Sequence, residues 1–237
     1  MEGASFRLPA GVSAAISLTY DGGLVDQREG ALSVLDPLGI RGTFFPSAIQ
    51  LIDYRSDWLA TRGHGHEIGN GAALDLTFAQ QMEPHDAASL MREDSAEFCA
   101  AYRQVLDEQP RSAALPWYGE CPDGVTLLGP GLSEGLIRTG IEGLNLPLQT
   151  HPRQLRCVPV DGFSGSELIS IARRAIGAGA WLIFAFAGIG TGEPGVDFSA
   201  HQQLAVFLAN TGPDVLVAPI VEIGAAIARP PDSVGLY

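Results

Sequence analysis

Short apolar runs alternate with segments of helical periodicity from one end of the chain to the other. Between the apolar runs, hydrophobic residues recur with the three-to-four-residue spacing of an amphipathic helix. Strands that alternate with helices predict a parallel sheet, so the fold class is α/β, and eight strands favour an irregular barrel. The strand candidates are residues 14–20, 42–46, 66–69, 112–115, 140–145, 155–160, 181–186 and 214–219.

One domain accounts for the whole pattern. The chain has 237 residues, a length at which single α/β barrels are common. No repeat, low-complexity tract or linker interrupts the alternation. We therefore predict a single domain over residues 1–237.

Composition and charge narrow the class of protein. Hydrophobic residues make up 46% and charged residues 17% of the chain, which is typical of a globular domain. The net charge of -13 argues against nucleic-acid and anionic-membrane partners, because both need clustered basic residues. All basic residues are arginine, which rules out a lysine Schiff base. Cys99, Cys121 and Cys157 are too widely spaced to suggest a disulfide framework or a thiolate metal site.

The amino-terminal residues predict a cytoplasmic location. They contain neither a cationic start nor an apolar signal segment, and no later run reaches the length of a membrane span. A small-molecule substrate is the partner that this composition favours. Homo-oligomerisation stays open.

In a parallel barrel the chemistry lies at the carboxyl ends of the strands, which selects residues without any motif. Two carboxylates among them, Asp21 and Glu120, are candidates for proton transfer, and the aromatic rings can stack on a flat ligand such as a sugar. The other residues selected in this way are Tyr20, Gly22, Asn70, Gly71, Trp117, Tyr118, Asn145, Asp161 and Ala187.

Five segments, in the right order, resemble motifs of the polysaccharide deacetylases, the NodB-homology domain of carbohydrate esterase family four. "SLTYDGG" resembles the family's T-F-D-D-G, and the other four segments are "LGIRGTFF", "RGHGHEIGNGAALD", "SAALPWYGE" and "GAGAWLIFAFAGIG". The resemblance covers nearly the whole chain and implies a distorted (β/α)7-8 barrel. It also implies an enzyme that removes acetyl groups from amino sugars with a divalent metal.

The chain departs from this family at most of the chemical positions. Asp21 matches the catalytic base, whereas Gly22 stands in place of a metal-binding aspartate, and Gly71 and Asp75 stand in place of two metal histidines. Ala187 occupies the position of the histidine acid, and Ala114 that of an arginine which orients the base in some members.

A catalytic zinc needs three protein ligands, and glycine side chains supply none. We therefore expect no bound metal, no other cofactor and no ordinary zinc deacetylase activity, and we expect the small residues to widen the pocket. A relocated metal site at His64, His66 and Glu67 is an alternative to a structural role for these residues.

The sequence thus leaves two hypotheses. In the first, the chain is a metal-independent cyclase, isomerase, lyase or imide-type hydrolase that uses Asp21, with Glu120 as a second acid/base group, on a small apolar molecule. In the second, it is an inactive pseudoenzyme that binds carbohydrate or a protein partner, and Asp21 is a leftover or a turn former. The predicted substrate-binding residues are Tyr20, Gly22, Asn70, Gly71, Asp75, Trp117, Tyr118, Asn145 and Ala187.

Overall fold

The structure, a computed structural model, describes residues 6–71, 82–115, 135–190 and 195–227. Eight strands lie within these ranges, and all of their ladders are parallel. In chain order they are β1 (Ala14–Gly22), β2 (Thr43–Pro46), β3 (Glu67–Ile68), β4 (Ser112–Ala114), β5 (Leu136–Glu142), β6 (Leu155–Pro159), β7 (Trp181–Phe186) and β8 (Val215–Val217).

The strands form a nearly closed barrel. Their order is β3-β2-β1-β7-β6-β5-β4, and a parallel bridge between Asn70 and Ala113 links the two end strands. β8 lies off this path and pairs with the amino half of β1. This topology confirms the predicted α/β class and the distorted (β/α) barrel.

Helices surround the sheet and follow most of its strands. After β1, a π-helical turn (Asp26–Ala31) runs into α1 (Leu32–Leu35) and a 3-10 turn (Asp36–Leu38). None of the helices in the described ranges is long and apolar enough to cross a membrane. The remaining helices are α2 (Ala48–Asp53), α3 (Arg55–Gly63), α4 (Pro84–Leu106), α5 (Gly165–Gly177), α6 (Phe198–Ala209) and α7 (Ile220–Ile227).

The side chains of β1 alternate between two layers, as the strand geometry requires. Ile16, Leu18 and Tyr20 belong to the core between the sheet and the helices. Ala15 belongs to a second apolar cluster with Phe45 of β2, inside the barrel. Asp21, which has the same parity as Ala15, therefore faces the barrel interior at its carboxyl end.

The fifth strand begins earlier than the sequence predicts. It spans Leu136–Glu142 rather than residues 140–145, and Gly143, with φ at 146°, ends it. The apolar criterion missed its first half because Arg138 and Thr139 are buried there as polar residues. Residues that the prediction placed inside this strand therefore lie beyond it.

His64, His66 and Glu67 do not form one site. His64 Nδ1 and His66 Nε2 each lie 2.8 Å from a carboxylate oxygen of Asp36. Glu67 faces the other way, into the barrel, where its carboxylate accepts hydrogen bonds from the Thr43 hydroxyl and the Val221 N–H. These contacts fit the structural alternative rather than a relocated metal site.

Candidate active site at the carboxyl end of the barrel

A buried arginine holds Asp21 at the end of β1. Nη2 of Arg138, on β5, lies 2.8 Å from each carboxylate oxygen of Asp21. The Arg138 side chain is 3% exposed and that of Asp21 is 24% exposed. A charge-assisted pair that is largely removed from water is stronger than a surface ion pair. Asp21 is thus fixed in orientation while part of its carboxylate still meets solvent.

Arg138 reaches Asp21 through the barrel interior. Its Nη1 lies 3.5 Å from Thr19 Oγ1, and its Cζ lies 5.2 Å from the centre of the Phe45 ring. Burial raises the pKa of the Cys157 thiol, and the charge of Arg138 opposes that rise. Sequence reasoning missed Arg138. The strand predicted from sequence began at residue 140, so nothing marked Arg138 as a buried residue of β5.

Three strand ends bring Asp161, Ala187 and Asp21 into one row. In β7, Ala185 pairs with Pro159 of β6 on one side and with Thr19 of β1 on the other. Two residues further along come Asp161, Ala187 and Asp21, of which Asp21 lies within β1 and the other two lie just beyond the ends of β6 and β7. The Ala187 N–H donates a hydrogen bond to the Asp161 carboxylate. All three residues thus lie at the carboxyl ends of neighbouring strands, at the mouth of the barrel.

The two carboxylates of this row have different environments. Asp21 lies against the Arg138 guanidinium. Partial burial and the negative charge of Asp21 raise the pKa of Asp161, and the Ala187 backbone N–H opposes that rise. The two carboxylates therefore differ in the charge that surrounds each of them.

The loops after β1 and β7 are tied to each other at this mouth. The Gln27 side-chain amide donates hydrogen bonds to the carbonyl oxygens of Asp21, at 2.7 Å, and Ala187, at 2.9 Å. Asp26 Oδ2 accepts a hydrogen bond of 2.6 Å from the Ile189 N–H. These three bonds fix the backbone on either side of the row.

Gly22 and Gly71 meet different structural requirements for glycine. Gly22 has a φ of 96°, a left-handed conformation that favours glycine, and a Cβ there would meet only Leu24, at 3.8 Å. At Gly71, a Cβ would overlap the Phe45 carbonyl group. Gly71 therefore permits a close approach of two backbones. It does not widen the pocket, contrary to the expectation from sequence.

We expect Gly71→Ala to lower the free energy of unfolding by about 3 kcal/mol, because the added carbon forces the β2 backbone to move. Gly177→Ala is the matched control, because a Cβ at Gly177 meets nothing within 4 Å. Its stability should be unchanged or slightly higher. Urea unfolding of both variants tests this, and equal stabilities would contradict the close approach.

Several predicted substrate-binding residues are not at the mouth. Tyr20 is fully buried on the helix side of the sheet, where its hydroxyl contacts His201 Nε2 at 2.8 Å. The Asn145 side chain bonds the backbone of Arg156 and Trp181, the latter at the amino end of β7. Asn70 is also buried, and its amide donates to Ser95. The predictions for Asp75, Trp117, Tyr118 and Glu120 lie outside the described residues.

The residues that the structure brings to the mouth do not fit a divalent metal. Across the four described ranges, no three His, Cys, Asp or Glu side chains cluster in a way that could hold a metal ion. Both oxygens of Asp21 already accept hydrogen bonds from Arg138. The permanent charge of that guanidinium would repel a cation bound to the same carboxylate.

Comparisons with known proteins identify the fold. No protein-family model and no curated protein matches the chain. Among solved structures, peptidoglycan deacetylase PdaC from Bacillus subtilis is 13% identical, with a TM-score of 0.60 and 90% of each chain covered. A family 4 carbohydrate esterase from Streptomyces lividans, solved with acetate, is 17% identical, with a TM-score of 0.59, and covers 94% of this chain and 100% of its own.

A third similar structure is a mutant of BA3943, described as a CE4 family pseudoenzyme. It is 15% identical, has a TM-score of 0.58, and covers 88% of this chain and 66% of its own. At these identities the likeness establishes the fold alone. The chain has the barrel of the polysaccharide deacetylases, in agreement with the motif resemblance.

Proposed function

We propose that this chain, which carries the polysaccharide deacetylase fold, is a metal-independent enzyme in which Asp21 transfers a proton to or from a small molecule. The observation that carries the proposal is the ion pair of Asp21 with the buried Arg138. A catalytic carboxylate needs a fixed orientation and access to the substrate. The pair with Arg138 supports the first, and the 24% exposure of the Asp21 side chain supports the second. The candidate reactions remain those of a cyclase, isomerase, lyase or imide-type hydrolase.

Arg138 is a positioning residue in this proposal, because it acts on the substrate through Asp21. The rim of the mouth supports a ligand with apolar parts. Leu24 and Val25, which follow Gly22 and Gly23, are 45% and 53% exposed. Their exposure leaves apolar surface beside the carboxylate that a ligand can cover.

The test is a substrate screen of the purified protein with and without EDTA, using Asp21→Asn as the matched variant. Small lactones, cyclic imides and β-hydroxy acids represent the proposed class, and N-acetylated chitooligosaccharides represent the deacetylase class. We expect turnover of a small molecule that EDTA does not change and that Asp21→Asn lowers by about 100-fold or more. Asparagine keeps an acceptor for Arg138, and circular dichroism verifies that the variant folds.

Acetate release from the chitooligosaccharides that EDTA abolishes and zinc restores would contradict the proposal. The second candidate function is a pseudoenzyme that binds glycans, which the similarity to the CE4 family pseudoenzyme favours. Under it, chitooligosaccharides raise the melting temperature, no compound in the screen is turned over, and Asp21→Asn leaves the binding unchanged.

A further inference from the structure

We infer that Asp161 is the general acid that works opposite Asp21, across a slot whose floor is Ala187. The inference rests on the proposed function, in which Asp21 is the base. It goes further by assigning the second proton-transfer group and the class of reaction that two such groups perform.

The geometry of the strand ends carries this inference. Asp161 follows β6, Ala187 follows β7 and Asp21 lies near the end of β1, and β7 pairs with both β6 and β1. The Ala187 N–H donates to the Asp161 carboxylate, and the Gln27 amide joins the carbonyl oxygens of Ala187 and Asp21. The middle residue, Ala187, has only a methyl side chain. A ligand above this methyl group meets Asp21 on one side and Asp161 on the other, and the two carboxylates are near enough for the charge of Asp21 to act on Asp161.

The surroundings of the two carboxylates suit opposite roles. Arg138 contacts both oxygens of Asp21 and fixes the orientation of that carboxylate. Asp161 is more exposed, and burial together with the charge of Asp21 raises its pKa. Asp161 thus retains a proton more readily than an isolated surface aspartate does.

A base and an acid on opposite sides of a slot suit eliminations and ring openings. The Asp21 carboxylate takes a proton from carbon, and the electron pair of that C–H bond forms a new π bond. The bond to the leaving oxygen or nitrogen breaks, and the leaving atom takes a proton from Asp161. The substrate class is therefore a small molecule with an acidic C–H bond beside such a leaving group.

Two 1,2-benzisoxazoles, the unsubstituted compound and its 5-nitro derivative, probe the two roles separately. A base removes the C3 proton, the N–O bond breaks, and a 2-cyanophenolate forms whose absorbance is recorded. The nitrophenolate leaves without protonation, whereas the unsubstituted phenolate benefits from an acid. We expect Asp161→Asn to lower the elimination rate of the unsubstituted compound by about 100-fold and that of the nitro compound by less than about threefold.

The outcomes separate this inference from the proposal on which it rests. Asp21→Asn should lower the elimination rates of both compounds by about 100-fold. Asp53→Asn, a control change at an exposed carboxylate, should lower neither rate. Equal losses on both compounds in Asp161→Asn would overturn the assignment of the acid and leave Asp21 as the base. Equal rates for the unchanged protein and Asp21→Asn on both compounds would overturn the proposed function itself.

Discussion

Replacing Asp21 by alanine is expected to lower the free energy of unfolding by about 3 kcal/mol. The loss arises because the Arg138 side chain is only 3% exposed and would keep its charge without the Asp21 carboxylate. Its Nη2 would also lose both hydrogen bonds to that carboxylate. This loss of unfolding free energy is at the lower end of the range for breaking a buried ion pair, because the Asp21 side chain is partly exposed. Urea unfolding at neutral pH measures the change.

A double-mutant cycle isolates the contribution of the pair. Arg138→Met removes the charge and keeps most of the side-chain volume, so the Asp21→Ala/Arg138→Met variant should regain more than half of the lost stability. Asp21→Asn should lose less than Asp21→Ala, because the amide oxygen still accepts a hydrogen bond. Additive losses in the double variant would show that the two side chains do not stabilise each other.

Stability is also expected to fall by about 3 kcal/mol as the pH is lowered from 6.5 to 4, because of His201. The side chain is fully buried in α6, and burial lowers its pKa from 6.5 to about 4. Between these two values the unfolded chain binds a proton that the folded chain does not. The contribution of neutral His201 to the free energy of unfolding is therefore fully present above pH 6.5 and declines as the pH falls. It stops declining once His201 is protonated in the folded protein as well.

His201→Gln is the matched variant for this prediction, because glutamine does not titrate and can still reach the Tyr20 hydroxyl. Other groups that titrate in this range, including the buried His66, are common to both proteins and cancel in the difference. Urea unfolding at several pH values between 7.5 and 4.5 should give a shallower pH dependence for the variant. Parallel curves would contradict the assignment to His201.

The sequence predicted best the strands that are buried on both faces. β7 matches its predicted bounds, and β1 extends only two residues beyond them, because continuous apolar runs mark central parallel strands. β5 was shifted because its buried half carries polar residues that are satisfied across the barrel. A buried arginine is invisible to a hydrophobicity criterion when its partner lies on another strand.

The candidate site was predictable where it depends on position along one strand. Asp21 follows from the rule that chemistry lies at the carboxyl ends of strands. Tyr20 was predicted wrongly because adjacent residues of a strand face opposite sides, so Asp21 and Tyr20 cannot share a pocket. The pairing of Asp21 with Arg138 and the row with Asp161 depend on registers between distant strands, which one sequence does not specify.

The pairing of β1 has a consequence for the order of folding during synthesis. The Thr19 hydroxyl donates to the Phe184 carbonyl, 165 residues later in the chain, and that of Ser17 to Ala218, 201 residues later. β1, the first strand to leave the ribosome, therefore cannot complete its pairing until β7 and β8 have been synthesised. Contacts between residues so far apart in sequence also form slowly. Nascent chains that stop before β7 cannot bring Asp21, Ala187 and Asp161 together, so the row forms only after translation has passed Ala187.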